Sequence, residues 1–138
     1  MLFRSPGRMT FLGALDAVEL AAAYAAGDLF VWPAVNEAYG MAMLEAQAAG
    51  LPVVSCALRG VPDVVIDGRT GLLAPPEDPP GFAAQLRSLL EDPARRRAMG
   101  DAAAAFVDAE RDIGAAAQTL DAALAQVAAG WPPAVAAS

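Results

Sequence analysis

The chain has 138 residues, enough for one domain, and 57% of them are hydrophobic, so it can bury a substantial core. Sixteen acidic residues against nine basic ones give a net charge of −7, which argues against a nucleic-acid-binding surface. Histidine and lysine are both absent. Their absence excludes a serine–histidine–aspartate triad, a histidine-bearing metal site and a Schiff-base lysine, so we expect no metal.

Cysteine usage and hydropathy indicate the compartment. The single cysteine, Cys56, cannot form an internal disulfide, which favours a reducing environment. The N-terminal residues lack the apolar core of a signal peptide, and charges, glycine and proline interrupt every apolar run before it could span a bilayer. We therefore expect a soluble cytoplasmic protein without a transmembrane segment.

Short apolar runs alternate with helical patterns along the chain. The predicted strands are residues 9–12, 29–32, 52–55 and 71–74. The predicted helices are residues 16–26, 41–49, 81–90, 93–112 and 114–128. This alternation predicts an α/β fold, a mainly parallel sheet flanked by helices with further helices at the C-terminal end.

Two local patterns refine this prediction. Asp16 followed by Glu19 is typical of a capping box at the start of the first helix. The closing helices carry apolar residues at three- and four-residue spacings, which favours packing on their own domain over a coiled coil. These residues are Phe106, Ile113, Leu120, Leu124 and Val127. Residues 130–138 are expected to form a disordered tail.

The stretch with chemical content begins where the second strand ends and the next helix starts, the place where open α/β sheets bind ligands. Backbone N–H groups near Tyr39, Gly40, Met41 and Ala42 are predicted to be unpaired. Such donors and the helix dipole favour an anion such as a diphosphate. This signal is weak by itself, because every helix has an N terminus.

Two carboxylates accompany that helix start. Glu37 and Glu45 lie eight positions apart, about 12 Å along the axis if helical rise held throughout. That spacing suits two hydrogen-bond acceptors holding the ends of an elongated polyol better than a hydrolytic acid and base, whose carboxyl groups are about 5 to 9.5 Å apart. The alternative is that Glu37 favours the helix dipole and Glu45 is a solvated helix residue.

The run Glu37-Ala-Tyr-Gly-Met-Ala-Met-Leu-Glu45 resembles the E-x7-E motif of retaining GT-B glycosyltransferases, in particular family four. Further segments resemble successive blocks of that family, in order, over residues 9 to 128. Among them are Ala26-Gly-Asp-Leu-Phe-Val-Trp-Pro33, Gly60-Val-Pro-Asp-Val-Val65 and Asp67-Gly-Arg-Thr-Gly-Leu-Leu-Ala-Pro75. The resemblance implies that residues 1–129 are a partial Rossmann-like domain, the C-terminal half of a GT-B enzyme.

The resemblance also implies a role for each motif position. Glu45 would accept hydrogen bonds from the ribose hydroxyls of a nucleoside-diphosphate sugar, and Glu37 would contact the donor sugar near the reacting carbon. Backbone N–H groups from Ala38 through Tyr39 and Gly40 to Met41 would meet the sugar and diphosphate. The sugar nucleotide is then a substrate, and no cofactor is expected. Charge stabilisation of the leaving diphosphate would be the main catalytic contribution.

Departures from the family pattern predict an incomplete enzyme. The acceptor-binding N-terminal half and the family's diphosphate-neutralising Arg and Lys have no counterpart here, and Ala34 replaces the usual serine. In strand order 3-2-1-4-5-6 the chain supplies strands three to six, so residues 29–32 would form a bare edge. We therefore expect the isolated chain to be unstable, to self-associate or to pair with a separate chain that supplies the missing part.

Two other functions compete with a donor-site domain of a glycosyltransferase. One is a non-catalytic module that keeps affinity for nucleotide sugars or serves in interactions. The other, a dinucleotide-dependent oxidoreductase, is disfavoured because no G-x-G-x-x-G follows a strand.

Overall fold

The computed structural model describes residues 7–111 and 113–130. Its helices are α1 (Ala17–Ala25), α2 (Met41–Ala48), α3 (Val61–Val64), α4 (Pro79–Glu91), α5 (Pro93–Glu110) and α6 (Ile113–Gly130). Its strands are β1 (Phe30–Val31), β2 (Val53–Cys56) and β3 (Gly71–Ala74). They form a parallel sheet in the order β1-β2-β3, with Val53 opposite both Phe30 and Gly71. The predicted α/β architecture with a parallel sheet is therefore confirmed.

The helix starts follow from short-range side-chain chemistry. Asp16 Oδ1 accepts hydrogen bonds from the N–H groups of Val18 and Glu19, each at 2.9 Å, and Glu19 Oε2 accepts from Asp16 N at 3.0 Å. This is the predicted capping box. Asp78 and Asp92 cap α4 and α5 in a similar way, each with a proline in the first helical turn.

The core lies on both faces of β2, because successive side chains of a strand point to opposite sides. Val53 packs on one face with Met43 of α2 and Val61 of α3. Val54 packs on the other face with residues of β3, α4 and α5: Leu72, Leu89 and Met99. All four residues of β2 are buried. Its burial on both faces fixes the position of the loop that follows its carboxyl end.

The prediction of a strand at residues 9–12 is wrong. The backbone there is irregular, and Met9, Phe11 and Leu12 are exposed, Phe11 to 88%. A strand is stable only when a neighbour accepts and donates its ladder hydrogen bonds. Within the described residues, no strand pairs with this segment, which explains why its apolar pattern does not produce one.

The predicted strand at residues 29–32 is present but short. Phe30 N donates to Pro52 O and Trp32 N to Val54 O, both at 3.0 Å, so β1 pairs with β2 on one side. Among the described strands β1 lies at an edge, as predicted. Val31 and Trp32 are about two-fifths exposed. This exposure agrees with the position of β1 at the edge, because one side of the strand has no covering element in this part of the chain.

Phe106 of α5 is buried, as expected for the closing helices. Helix α6 forms as predicted but does not pack on the domain in the expected way. Its apolar residues are exposed, Ile113 to 89% and Leu120, Leu124 and Val127 to 57–59%. Gly130, expected to begin the tail, is the last residue of α6, and the rest of the predicted tail lies outside the described residues. No helix in the described ranges combines the length and apolar character needed to cross a membrane.

Candidate functional site

The loop of residues 33–40 carries the predicted site from the end of β1 to the start of α2. Its beginning is held against β2: Ser55 Oγ donates to Trp32 O at 2.8 Å, and Ala34 N donates to the same oxygen at 2.8 Å. Ala34 is buried in the core cluster on the α2 side of the sheet. The small side chain of Ala34 is buried at this position. Its burial and the two hydrogen bonds to Trp32 O hold the start of the loop in place relative to the sheet.

The far end of the loop lies against the segment that follows β2. A Cβ atom at Gly60 would come within 2.5 Å of Ala38 O and 3.3 Å of Tyr39 Cα. Real Cβ atoms essentially never come as close to another atom as the first of these contacts, so only glycine permits this approach. Gly60 thus sets the position of the backbone from which Glu37 and Tyr39 project.

Gly40 begins α2 in a left-handed conformation, with φ of 100°. Its carbonyl accepts from Met43 N at 2.9 Å and from Leu44 N at 3.2 Å, and no side chain in the described part of the chain caps this end. The N–H groups of Met41 and Ala42 therefore precede the first ones that the helix itself satisfies. Tyr39, predicted within the first turn, lies in the loop before it.

Helix α2 has a buried and an exposed face. Met43, Leu44 and Gln47 are buried, and Gln47 Nε2 donates to Met43 O at 3.2 Å and to Val64 O at 3.0 Å, which fastens α2 to α3. Met41 and Glu45 are exposed and, four positions apart, lie on the same side of the helix. Glu45 therefore stands on the solvent side, one turn beyond the uncapped N–H groups.

The structure changes the expected relation between the two glutamates. Because α2 begins at Met41, helical rise does not extend back to Glu37, and the separation of about 12 Å based on a continuous helix does not apply. Glu37 is half-buried in the loop, while Ala38 and Tyr39 beside it are exposed. The assignments of Glu37 to the sugar and Glu45 to the ribose stay predictions.

Sequence reasoning missed a contact to Glu45. Tyr24 Oη, on α1, donates to Glu45 Oε2 at 3.4 Å. Burial, the negative charge of Glu45 and the hydrogen bond to it raise the pKa of Tyr24 above its ordinary value. The phenol is therefore protonated at neutral pH and acts as the donor. Because the two residues are 21 positions apart, no local pattern could have indicated the pair.

A cleft of about 300 Å³ opens at the carboxyl ends of the three strands. Its lining is mostly apolar and comes from the three loops that follow the strands and from the start of α4, with Val35, Leu58 and Phe82 among its residues. Neither Glu37 nor Glu45 lines it. Cys56 is buried at the edge of this cleft, and burial raises the pKa of its thiol.

Comparison with known proteins places this arrangement in a family. The sequence model described as "Glycosyl transferases group 1" matches residues 3–92, well over half of the chain. Among curated relatives, sulfoquinovosyl transferase SQD2 of Arabidopsis thaliana is 43% identical over 96 residues, which are 67% of this chain and 19% of that protein.

Two solved structures share the fold. Sucrose-phosphate synthase from Thermosynechococcus elongatus superposes with a TM-score of 0.77 and 34% identity, over 88% of this chain and 31% of that one. Anabaena Alr3699/HepE in complex with UDP superposes with a TM-score of 0.68 and 25% identity, over 75% of this chain and 29% of that one. The chain spans about a fifth of the length of the curated relatives it matches. With its family and its GT-B-type architecture both matched, the chain belongs to the group 1 glycosyl transferases.

Proposed function

We propose that this chain binds a nucleoside-diphosphate sugar at the start of α2 and forms the donor half of a retaining sugar transfer. One observation carries the proposal. The N terminus of α2 has no side-chain cap among the described residues, and Glu45 lies on the same exposed face as Met41, one turn further on. Donors for a diphosphate and an acceptor for hydroxyl groups are thus arranged along one side of the helix.

Each part of the donor has a proposed partner. The diphosphate lies at the N–H groups of Met41 and Ala42, which follow Gly40 and its left-handed backbone. The ribose hydroxyls donate to the Glu45 carboxylate, and the sugar hydroxyls donate to Glu37. The complex of HepE with UDP, a protein of the same fold, supports a nucleoside diphosphate as the ligand class.

The reaction breaks the bond between the anomeric carbon and the diphosphate oxygen and forms a bond from an acceptor hydroxyl oxygen to the same face of that carbon. The electron pair of the broken bond stays on the nucleoside diphosphate, which takes up the proton that the acceptor hydroxyl loses. N–H groups aimed at the leaving oxygen stabilise the charge that develops there. Glu37 stabilises the positive charge that builds up on the sugar ring.

We further propose that the chain by itself binds the donor without transferring sugar. The residues that match a complete enzyme amount to about a fifth of its length. A binding module without catalysis is the second candidate, and the short matched length favours it as well. A sugar-transfer assay on the chain alone, and then with a partner fragment added, separates the two.

Calorimetric titration with UDP, ADP, GDP and UDP-glucose tests the donor site. Replacing Glu45→Gln removes the charged acceptor for the ribose, so we expect affinity for the nucleoside diphosphate and for the sugar nucleotide to fall by about tenfold or more. Replacing Glu37→Gln removes the negative charge of the acceptor that contacts the sugar alone. It should weaken UDP-glucose and leave UDP unchanged.

The control is Glu91→Gln, which removes the same charge from the exposed end of α4. It should leave every affinity unchanged, because binding depends on the carboxylates at the proposed site and not on the net charge of the chain. Failure of all three nucleotides to bind the parent chain, or equal affinities for parent and Glu45→Gln, would overturn the proposed site.

A further inference from the structure

The contact between Tyr24 and Glu45 joins two elements that are distant in the chain. Tyr24 lies on α1, and its hydroxyl donates to Glu45 Oε2 on the exposed face of α2 at 3.4 Å. The side chain of Glu45 has no other hydrogen bond within the described residues. A glutamate side chain on an exposed helix face otherwise samples several rotamers, and binding a ligand through it requires that freedom to be lost.

The ring of Tyr24 is held independently of Glu45. It packs edge-to-face against Phe30 of β1, with ring centroids 5.9 Å apart and planes at 70°. Phe30 in turn lies parallel to Trp32, at 6.0 Å. Aromatic pairs in this geometry hold each other in place. The hydroxyl of Tyr24 is therefore presented to α2 from a ring anchored on the edge strand.

We propose that Tyr24 is a positioning residue for the donor site: its hydroxyl orients the Glu45 carboxylate so that Oε1 faces the ribose diol of a nucleoside diphosphate. This inference depends on the proposed function. A carboxylate has about four acceptor positions on its two oxygens. One donor on Oε2 therefore leaves enough of them for both ribose hydroxyls.

The protonation of Tyr24 is consistent with this role. The pKa of its phenol is raised by burial and by the neighbouring Glu45 charge, so the group remains a donor at neutral pH. A distance of 3.4 Å is long for a hydrogen bond between oxygens, and such contacts shorten when the ligand completes a site. We therefore expect a modest contribution, smaller than that of Glu45 itself.

Tyr24→Phe removes the hydroxyl and keeps the ring against Phe30. We expect it to weaken UDP binding by about threefold to tenfold in calorimetry, as one hydrogen bond to a charged group contributes. In the double variant Tyr24→Phe/Glu45→Gln, the loss should be smaller than the two single losses combined, because Tyr24 acts through the carboxylate.

A second ligand separates positioning from a structural effect. With 2′,3′-dideoxy-UDP, which lacks the ribose hydroxyls, the effect of Tyr24→Phe should disappear together with that of Glu45→Gln. ADP and GDP with their dideoxy forms, run alongside, extend the comparison to other bases. Thermal melts of parent and Tyr24→Phe at neutral pH should agree within a few degrees.

The remaining outcomes divide clearly. If Glu45→Gln weakens UDP and Tyr24→Phe does not, the positioning role is wrong and the donor site stands. If the Tyr24→Phe loss persists with the dideoxy nucleotide, Tyr24 acts on the fold and the positioning role is also wrong. If Glu45→Gln has no effect, or none of the three nucleotides binds the parent, the proposed function fails and the inference fails with it.

Discussion

Val54 and Val31 occupy paired positions on neighbouring strands, and their surroundings differ completely. Val54, in β2, is fully buried between β1 and β3 and beneath α4. Val31, directly opposite it in β1, is 39% exposed. The two residues are identical and the strands share one sheet. The difference teaches that an apolar strand pattern specifies pairing, whereas burial depends on which elements cover the strand.

Exposed apolar side chains also occur outside β1. Phe11 in the N-terminal segment and Leu120 and Leu124 on α6 are apolar residues more than half exposed. Exposed apolar residues can mark surfaces that meet another chain. We therefore retain the expectation that the chain associates, with a second copy or with a chain that covers these residues, as a prediction to be tested.

The largest expected effect comes from replacing Val54 or Val31, the two compared valines, with a charged residue. Val54→Lys puts an ammonium group among the apolar side chains of Leu72, Leu89 and Met99, and we expect the domain to unfold. Val31→Lys places the same group on the open edge, where it reaches water and disfavours strand pairing between molecules. Circular dichroism and urea titration measure the first effect, and light scattering measures the second.

The two variants act as controls for each other, since both change one valine of a register pair to lysine. We expect Val31→Lys to alter the free energy of unfolding by less than about 1 kcal/mol and to reduce any self-association. Unfolding of both variants would show that β1 is as well covered as β2. An unchanged association state would show that the edge of β1 is not where molecules meet.

The parts of the fold that the sequence predicts are those with local causes. Asp16 and Glu19 form the expected capping box because all its atoms lie within four residues. Strand β3 has the predicted bounds, because the turn at Gly68 is fixed by its positive φ of 75° and by a bond from Gly68 N to Gly71 O. The E-x7-E spacing could be read directly, but spacing alone left the solvated-residue alternative open.

The parts that could not be predicted depend on contacts between distant segments. Residues 9–12 have the pattern of a strand, but a strand also needs a partner that the segment cannot supply. Tyr24 contacts Glu45 across 21 positions, and Gly60 contacts Ala38 across 22. Nothing in the neighbourhood of either residue in the sequence signals these contacts, because they follow from how α1 and α3 pack beside α2.

A smaller effect is expected from a substitution at Gly60, which contacts the loop of residues 33–40. Gly60 has an ordinary φ of −77°, so Gly60→Ala introduces no backbone strain, only the overlap of Cβ with Ala38 O. We expect a loss of about 1–3 kcal/mol in the free energy of unfolding. Because the loop must move, affinity for nucleoside diphosphates should fall as well.

Gly27→Ala is the matched control for that substitution. A Cβ atom there would lie 3.3 Å from Leu51 Cδ1 and Tyr24 O, a tight contact that small shifts relieve. We expect a smaller loss of stability in urea titrations and a smaller loss of nucleotide affinity than for Gly60→Ala. Should Gly60→Ala leave both quantities at the parent's values, the loop is not held by this contact.

The smallest expected effect is a pH dependence of the free energy of unfolding that arises from the phenol of Tyr24. Its folded pKa is raised above the ordinary value of 10.0, so the folded state holds the phenolic proton more tightly than the unfolded chain does. This contribution to stability is fully present below pH 10 and is lost as the pH rises through the folded pKa.

Urea titrations of the parent and Tyr24→Phe at pH 9, 10 and 11 isolate this contribution, because Cys56, whose pKa is also raised, and Tyr39 are common to both proteins. The free energy of unfolding of the parent should decline more steeply above pH 10 than that of the variant. Parallel curves would mean that burial and Glu45 do not bias the protonation of Tyr24. Tyr24 would then contribute only through the packing of its ring on β1, and Glu45 on α2 would have no electrostatic effect on its hydroxyl.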